Sequence, residues 1–350
     1  MKACVLRGHG DLDQLAIVEA PVPVLKRDRD VLIRSHAAAL NHLDLWTLRG
    51  LPGLSVKFPH IPGADGAGVV EAVGSSVASV TPGDRVMINP GVSCYRCEYC
   101  DAGEHSLCVQ YRLLGEHLPG TLCEFIVVPE QNVAAIPTPP DPHPELTWAE
   151  AAAFSLVTLT AWRMLVTRAQ VRPGEVVLIW GIGGGVSSTA LRIAKLLGAY
   201  VIATSSSDDK LDVARSLGAD VVLNHAQMDV PKEVRSLTGK RGADVVVENV
   251  GEATWEQSLR ALGRHGRLVT CGATTGAKVV TDVRRVFWYH QTIMGSTMGN
   301  AAEYREIVRL LGQGRLRPLV DASFRFDDAR RAFERLAEGK QMGKIVVEMS

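Results

Sequence analysis

The stretch from Glu175 to Asp220 restricts the possible folds of this chain more than any other. It opens with a continuous apolar run over 176–180, whose length and β-branching suit a strand buried on both faces. Gly181, Gly183, Gly184 and Gly185 follow, so the backbone can turn sharply with no Cβ in the way. Ala190, Leu191, Ile193, Ala194 and Leu197 then recur at helical spacing, Gly198 stands where a helix C-terminus is expected, and a second strand starts at Tyr200. Strand, glycine turn, helix and strand form a βαβ unit, whose helix N-terminus offers N–H groups and a positive dipole end to a pyrophosphate. The glycine spacing alone is weak evidence, because Val186 stands where a third glycine would fall and a tight turn in any α/β domain looks similar. Repetition decides the matter. Apolar strand candidates recur over 221–223, 244–248, 267–271 and 292–295, and six such strands predict a doubly wound, nucleotide-binding parallel sheet.

A chain of 350 residues can hold two full cores. Its 38 basic and 38 acidic residues balance without any basic run, which gives no electrostatic support for nucleic acid or an anionic membrane as partner. Met1-Lys2-Ala3-Cys4-Val5-Leu6-Arg7 lacks the apolar core and cleavage site of a leader, and no apolar stretch is expected to reach a membrane span. The expectation is a cytoplasmic protein. Seven cysteines, with Cys4, Cys123 and Cys271 scattered singly, argue against a disulfide framework, and those three read as buried reduced thiols.

Residues up to 135 read as β-rich. Strand candidates over 31–37, 66–73 and 120–129 are punctuated by Gly and Pro, and Thr81-Pro82-Gly83-Asp84 has the residues of a type II turn. That pattern suits an all-β barrel or sandwich. Pro137-Thr138-Pro139-Pro140-Asp141-Pro142-His143-Pro144 predicts a stiff connection and the natural hinge, after which Thr147 and Glu150 are spaced as a capping box opening a helix. A helix over 328–338 then precedes a strand over 343–348, which is expected to return to the first domain.

Cys94, Cys97, Cys100 and Cys108 form C-x2-C-x2-C-x7-C. Four thiols this close read as a closed tetrahedral zinc site, structural because no position is left for water or substrate. An iron–sulfur cluster or four reduced thiols are the competing chemistries, and the polar setting with the seven-residue gap favours zinc. Arg96, His105 and Arg112 are the local candidates to offset the negative charge of the thiolates.

Ala39-Leu40-Asn41-His42-Leu43-Asp44, Pro62-Gly63-Ala64-Asp65-Gly66-Ala67-Gly68, the Pro82-Gly83-Asp84-Arg85-Val86 turn, the cysteine lobe, the glycine turn and Gly343-Lys344-Ile345-Val346-Val347 together carry a resemblance. Over essentially its whole length the sequence resembles the zinc-containing medium-chain alcohol dehydrogenase/quinone oxidoreductase superfamily. The resemblance implies an α/β two-domain fold. A GroES-like β-barrel catalytic domain would cover 1–157, carry the zinc lobe at 90–112 and be completed by 298–350. A Rossmann doubly wound parallel sheet would cover 158–297. It implies a homodimer or homotetramer paired near 291–297. It also makes Gly184 the glycine of close cofactor approach and Ser187 the small residue packing the helix on the sheet. The positions similar to cofactor contacts of the family are His42, Thr160, Gly183, Gly184, Gly185, Val186, Ser205, Lys210, Asn249, Gly272, Ala273 and Thr297.

The departures bear on mechanism. The three positions that hold catalytic zinc in the alcohol dehydrogenases carry Asn41, Ala64 and Leu156 here, and Leu43 stands where their proton-relaying hydroxyl falls. The expectation is therefore one structural zinc per chain and no catalytic zinc; His42, His60 and Asp65 are the residues that a displaced site would use. Without the several kcal/mol that a metal supplies to simple carbonyl reduction, hydrogen-bond donors worth about 3 kcal/mol each suffice more easily when the charge is delocalised. Asn41 and Asp44 also look like the metal-free quinone reductase branch. The expected reaction is hydride transfer from a nicotinamide to a small apolar, quinone- or enone-type carbonyl, with Asn41 and Asp44 as the catalytic candidates and Trp46, Leu48, Leu51, Tyr111 and Leu156 among the pocket walls. Ser205, Ser206, Ser207 and Lys210 replace the acidic residue that holds a 2′-hydroxyl, which leans towards NADP with NAD possible. A zinc alcohol dehydrogenase with rearranged ligands and a non-catalytic NADP-binding scaffold are the alternatives.

Overall fold

The computed structural model describes every residue except Pro52 and Ser350. The chain divides into two compact units, Met1–Leu156 with Asn300–Ser350, and Val157–Gly299.

In the second unit a six-stranded, all-parallel sheet runs in the order Val221–Asn224, Tyr200–Ser205, Val176–Ile179, Ala243–Glu248, Leu262–Thr270, Thr292–Gly295. The order reverses between Val176–Ile179 and Ala243–Glu248, which is where a doubly wound sheet opens its crevice. Val177, Leu178 and Ile179 are fully buried, as a strand covered on both faces requires. The helix Gly185–Leu196 buries Ala190, Leu191, Ile193 and Ala194, and Gly198 takes a left-handed φ of +79° just past its end. The fifth strand starts earlier than expected, at Leu262, because its first residues make a separate pairing with Ala243 before a register shift.

In the first unit the long strand Asp30–Ala39 organises a seven-stranded sheet. One edge pairs with Asp65–Val73, and the other is shared: Asp30 to Arg34 take Phe125–Pro129 while Ala37 to Ala39 take Lys344–Glu348. The C-terminal strand thus returns to the first unit as expected. The helix before it, Ala329–Ala337, buries Ala332, Phe333 and Leu336 against Leu40, Leu45 and Val347. Asp84 donates its N–H to the Thr81 carbonyl (3.1 Å) while Gly83 has φ +97°, which makes the expected type II turn.

Three expectations are corrected. The strand expected over 120–129 begins only at Phe125, because Gly120, Thr121 and Leu122 donate their N–H groups to Ile61, Gly63 and Pro62 instead (2.7, 2.9 and 3.1 Å). A Cβ on Gly120 would lie 2.3 Å from the Gly63 and Pro62 carbonyl oxygens, so only glycine permits this approach. The proline run is no hinge between units: it lies inside the first, with Arg317 donating to the Pro144 carbonyl (2.9 Å) and to both Glu150 oxygens. One apolar stretch does reach membrane length. The 21-residue helix Trp148–Arg168 is long and apolar enough, but 72% of its apolar window is buried inside the protein, as in a core helix. It begins with the expected capping box, Glu150 N–H to Thr147 Oγ1 (3.1 Å) and Thr147 N–H to Glu150 Oε2 (3.0 Å).

Candidate functional site

In the first unit, the end of the strand Asp30–Ala39, the start of the helix His42–Arg49, the Pro62-Gly63-Ala64-Asp65 turn and the strand Lys344–Glu348 meet in one buried polar cluster. Lys344 is 3% exposed, and its ammonium donates to the Leu40 carbonyl (2.8 Å), Asn41 Oδ1 (2.5 Å) and Asp65 Oδ2 (2.9 Å). Three protons meet three acceptors, so the cation is fully satisfied without water. Asp65 is fully buried; Oδ2 also accepts from Asn41 Nδ2 (3.0 Å), and Oδ1 from the Leu156 N–H (2.8 Å). The Asn41 amide is thus bonded inside the protein at both ends, its nitrogen reaching the Ala39 carbonyl as well (3.4 Å).

Asp44 is also fully buried. Its carboxylate accepts from the Asn41 N–H (2.7 Å) and the Gly63 N–H (2.8 Å), which ties the helix start to the glycine turn. Burial pushes its pKa up to about 6, against the pull of those two N–H donors and of Lys344. His42 is half-buried, and burial, then Arg49 and Lys344, push its pKa down, which leaves it neutral. His60 is bonded through Nε2 to the Gly115 carbonyl (3.0 Å). Leu48 is buried in the core, and the Tyr111 hydroxyl stands against Gly91, so neither stands free as a pocket wall. A groove of about 1080 Å³, lined by Val22, Val24, Arg96, Leu118 and Phe125 among others, lies beside the cysteine lobe and shares no residue with the polar cluster.

The four cysteine Sγ atoms of Cys94, Cys97, Cys100 and Cys108 lie within 4.8 Å of one another. Sulfurs 2.3 Å from a tetrahedral zinc stand about 3.8 Å apart. Cys97 and Cys100 are separated by 3.6 Å, Cys94 and Cys100 by 4.0 Å, so the set fits the ion. Cys94 and Gln110 donate N–H groups to Cys108 Sγ (3.3 Å each), as anionic sulfur requires. Of the expected charge partners, Arg96 and Arg112 line the groove that Cys94 also lines. His105 is a correction: burial lowers its pKa and its Nδ1 faces the Ala301 N–H (3.4 Å), so it is neutral. Arg305 acts on His105 and Tyr95 instead, a charge that sequence reasoning missed. Among the described residues no other group gathers three such ligand atoms. Of the single thiols, Cys4 and Cys123 are buried and Cys271 is partly exposed.

In the second unit the predicted cofactor residues follow carboxyl ends of strands, except Thr160, which lies in the helix Trp148–Trp162. Gly184 is the N-cap of the helix Gly185–Leu196, whose first turn has no acidic residue and leaves its amide groups without intrahelical acceptors. A Cβ on Gly184 would meet protein atoms only at 3.6 and 3.9 Å, so the fold itself does not demand glycine there. Ser187 is fully buried and donates its hydroxyl to the Trp180 carbonyl (2.8 Å), which fits the close helix–sheet packing expected of it. Across the point where the strand order reverses, Asn249 Nδ2 donates to Ser187 Oγ (3.0 Å). Gly183, Gly185 and Val186 belong to the same turn, and Ser205, Gly272, Ala273 and Thr297 follow or end their strands. Thr160 Oγ1 is buried against Met298 Sδ (3.6 Å). Ser205 Oγ accepts from the Ser207 N–H (3.1 Å), and Lys210 lies in the next helix, Asp208–Ser216. That helix opens with Asp208 and Asp209, both exposed, two carboxylates beside the serines that sequence reasoning passed over.

Glu248 was also missed. It is fully buried at the end of its strand and accepts from the Val250 and Gly251 N–H groups (2.7 and 3.0 Å) and from Thr254 and Ser258 hydroxyls (2.9 and 2.6 Å). It fixes the loop that carries Asn249. Burial was the missing signal, since nothing local marks this carboxylate as internal.

Two family models match the chain. Residues 27–138 match a family model described as an alcohol dehydrogenase GroES-like domain, and residues 185–313 one described as a zinc-binding dehydrogenase. An alcohol dehydrogenase of Geobacillus stearothermophilus is 31% identical over 100% of this chain and 99% of its own length. A crotonyl-CoA carboxylase/reductase of Cereibacter sphaeroides is 31% identical over 90% of this chain and 79% of its own. A crystal structure of an NAD-dependent alcohol dehydrogenase, 43% identical, superposes over all of both chains with a TM-score of 0.94.

Proposed function

The chain belongs to the zinc-containing medium-chain alcohol dehydrogenase superfamily and is a nicotinamide-dependent oxidoreductase, and from that premise we propose that it delivers hydride to an activated, conjugated carbonyl acceptor, a quinone or an enone. The observation that carries the proposal is the buried cluster: Asn41, Ala64 and Leu156 provide no set of metal ligands, and the polar atoms around them are bonded to Lys344. One zinc is held by Cys94, Cys97, Cys100 and Cys108, where it braces the lobe.

A bound reduced nicotinamide supplies the hydride. The amides at the start of the helix Gly185–Leu196 and the glycine at 184 receive its pyrophosphate. Ser187 and Asn249 hold the floor of that turn. Asn41 and Asp44 position the polar cluster, since their own hydrogen bonds are made inside the protein. The donors of the cluster, Asn41 Nδ2 and the Lys344 ammonium, are engaged inside the protein, which favours an acceptor that spreads the charge over a conjugated system. The relative named for crotonyl-CoA, a conjugated thioester, supports this acceptor class.

We assign the reductant as NADPH, with Ser205, Ser206, Ser207 and Lys210 beside the 2′-phosphate. Asp208 and Asp209 in the same turn keep the preference over NADH modest, about tenfold or less. The free cysteines suit a reducing, cytoplasmic compartment. A homodimer would pair through the edge strand Thr292–Gly295. The neighbouring helix Val283–Tyr289 buries none of its residues and exposes Phe287 and Trp288, which a partner would cover.

Stopped-flow oxidation of NADPH and NADH by quinones, enones and enoyl thioesters, set against simple aldehydes, tests the reading. Faster reduction of the conjugated acceptors, insensitive to chelator, is expected. Turnover of simple aldehydes alone, abolished by chelator while the lobe zinc remains, would instead select an alcohol dehydrogenase with rearranged ligands, as the names of several relatives suggest.

A further inference from the structure

The groove beside the cysteine lobe, about 1080 Å³, lies wholly within the first unit. Its floor is apolar: Leu114 and Ile126 are buried there, while Val22 and Val24 stand at its mouth, 46% and 66% exposed. Lys26, Arg27, Arg96 and Arg112 line it too. All four are exposed, and among the described residues none of them makes an ion pair. The one carboxylate in the lining, Asp30, is buried, and its Oδ2 accepts the backbone N–H groups of Lys26 and Arg27 (3.1 and 2.9 Å).

We propose that this groove binds a long-chain carboxylate as a free amphiphile, with the alkyl chain on the floor of Ile61, Leu114, Leu118 and Ile126 and the head at Lys26 and Arg27. The groove shares no residue with the polar cluster, so the inference stands whichever carbonyl the enzyme reduces.

Charge selects an anion. The lobe gathers four thiolates round one zinc, and Arg96 and Arg112 help to offset that negative charge. Lys26 and Arg27 come from outside the lobe and keep their charge for a ligand, to which an anionic head is complementary. Backbone pairing selects an alkyl chain over an added peptide strand. The strand Phe125–Pro129 pairs only with Asp30–Ala39, which leaves it one open edge. The Glu124 carbonyl accepts from the Ser35 N–H and the Glu130 N–H donates to the Arg29 carbonyl (2.9 Å each). By alternation Ile126 and Val128 face that partner strand, and only Phe125, Val127 and Pro129 turn outward. Pro129 has no N–H, and the Phe125 carbonyl already accepts from Cys123 Sγ (3.2 Å), so Val127 alone offers both groups. One residue of open edge is too little for strand addition. In the segment 20–24, which also lines the groove, Pro21 and Pro23 lack N–H groups as well. An alkyl chain needs no such donors, and the volume is at the upper end of the range for small-molecule sites.

Titration calorimetry of the zinc-loaded protein with monomeric dodecanoate at low salt tests this, beside dodecanol and dodecyltrimethylammonium as neutral and cationic chains of the same length. One dodecanoate per chain is expected, bound about tenfold or more tighter than the cationic chain, with the gap closing at high salt. Octanoate should bind more weakly, by about fourfold for each methylene removed. Lys26→Ala combined with Arg27→Ala should weaken dodecanoate about three- to tenfold and leave dodecanol binding and basal turnover unchanged. Val24→Asp, at a side chain 66% exposed, should weaken both chains. Equal binding of the anionic and cationic chains, indifference to chain length, or undiminished dodecanoate binding by the Lys26/Arg27 variant overturns the inference. So does binding to vesicles of anionic phospholipid with none of monomeric dodecanoate, which would make the groove a membrane contact instead.

Discussion

Replacing Asp44 by Asn should change how stability depends on pH, and the sign follows from burial. Asp44 is fully enclosed and its pKa is raised to about 6, whereas an aspartate in the unfolded chain titrates near 3.9. Between these values the folded protein holds a proton that the unfolded chain has lost, so stability from this group is complete below about pH 4 and falls as pH rises through about 6. The whole fall is about 3 kcal/mol and is finished by about pH 7. In Asp44→Asn that dependence disappears, but one of the two N–H donors, of Asn41 or Gly63, loses its acceptor, at a cost of about 1–3 kcal/mol. The variant should therefore be less stable than the unsubstituted protein at pH 5 and close to it at pH 8. Urea unfolding of both proteins at pH 5, 6, 7 and 8 measures the difference, in which acid release of zinc from the distant lobe cancels. A difference that stays constant across this range would refute the reasoning, because Asp44 would then titrate alike in the folded and unfolded states.

Cys108→Ser should lower zinc from one to well under one equivalent per chain by elemental analysis and reduce thermal stability, while activity per folded enzyme at low temperature is retained, as a bracing metal requires. Gly184→Ala should change stability by less than about 1 kcal/mol, since its Cβ meets protein atoms only at ordinary contact distances, yet raise KM for the nicotinamide tenfold or more if that space belongs to the cofactor. Glu248→Gln replaces an acceptor of several internal hydrogen bonds with a group that must also donate, and should cost about 2–3 kcal/mol in denaturant unfolding.

Periodicity made the second unit legible. The apolar run at 176–180, the glycine turn and the helical repeat after it all appear where expected, because a strand buried on both faces leaves little freedom in sequence. Cysteine spacing likewise disclosed the lobe, since four thiols that close together admit few other chemistries. The buried charges were not legible. Lys344 and Asp65 were visible as members of family motifs, but their pairing joins positions 279 residues apart, and nothing local announces it. The same holds for Arg305, which acts on Tyr95 and His105 far from it in sequence, whereas the partners of Glu248 are close in sequence and only its burial is unannounced. The strand that stops short at Phe125 and the proline run that lies inside a unit show the same limit, because backbone partners supplied from elsewhere overrode local pattern.

The split edge of the strand Asp30–Ala39 has a consequence for biosynthesis. Half of that edge waits for Lys344–Glu348, which a ribosome delivers only after the entire 157–299 insert has emerged. Until then Asp65 lacks the ammonium of Lys344, and the first unit is incomplete in charge as well as in strands. The segment Val157–Gly299 is continuous, so its strands are all made before the C-terminal strand emerges. Chains interrupted before Lys344 would leave Asp65 without its cation and part of that strand edge unpaired.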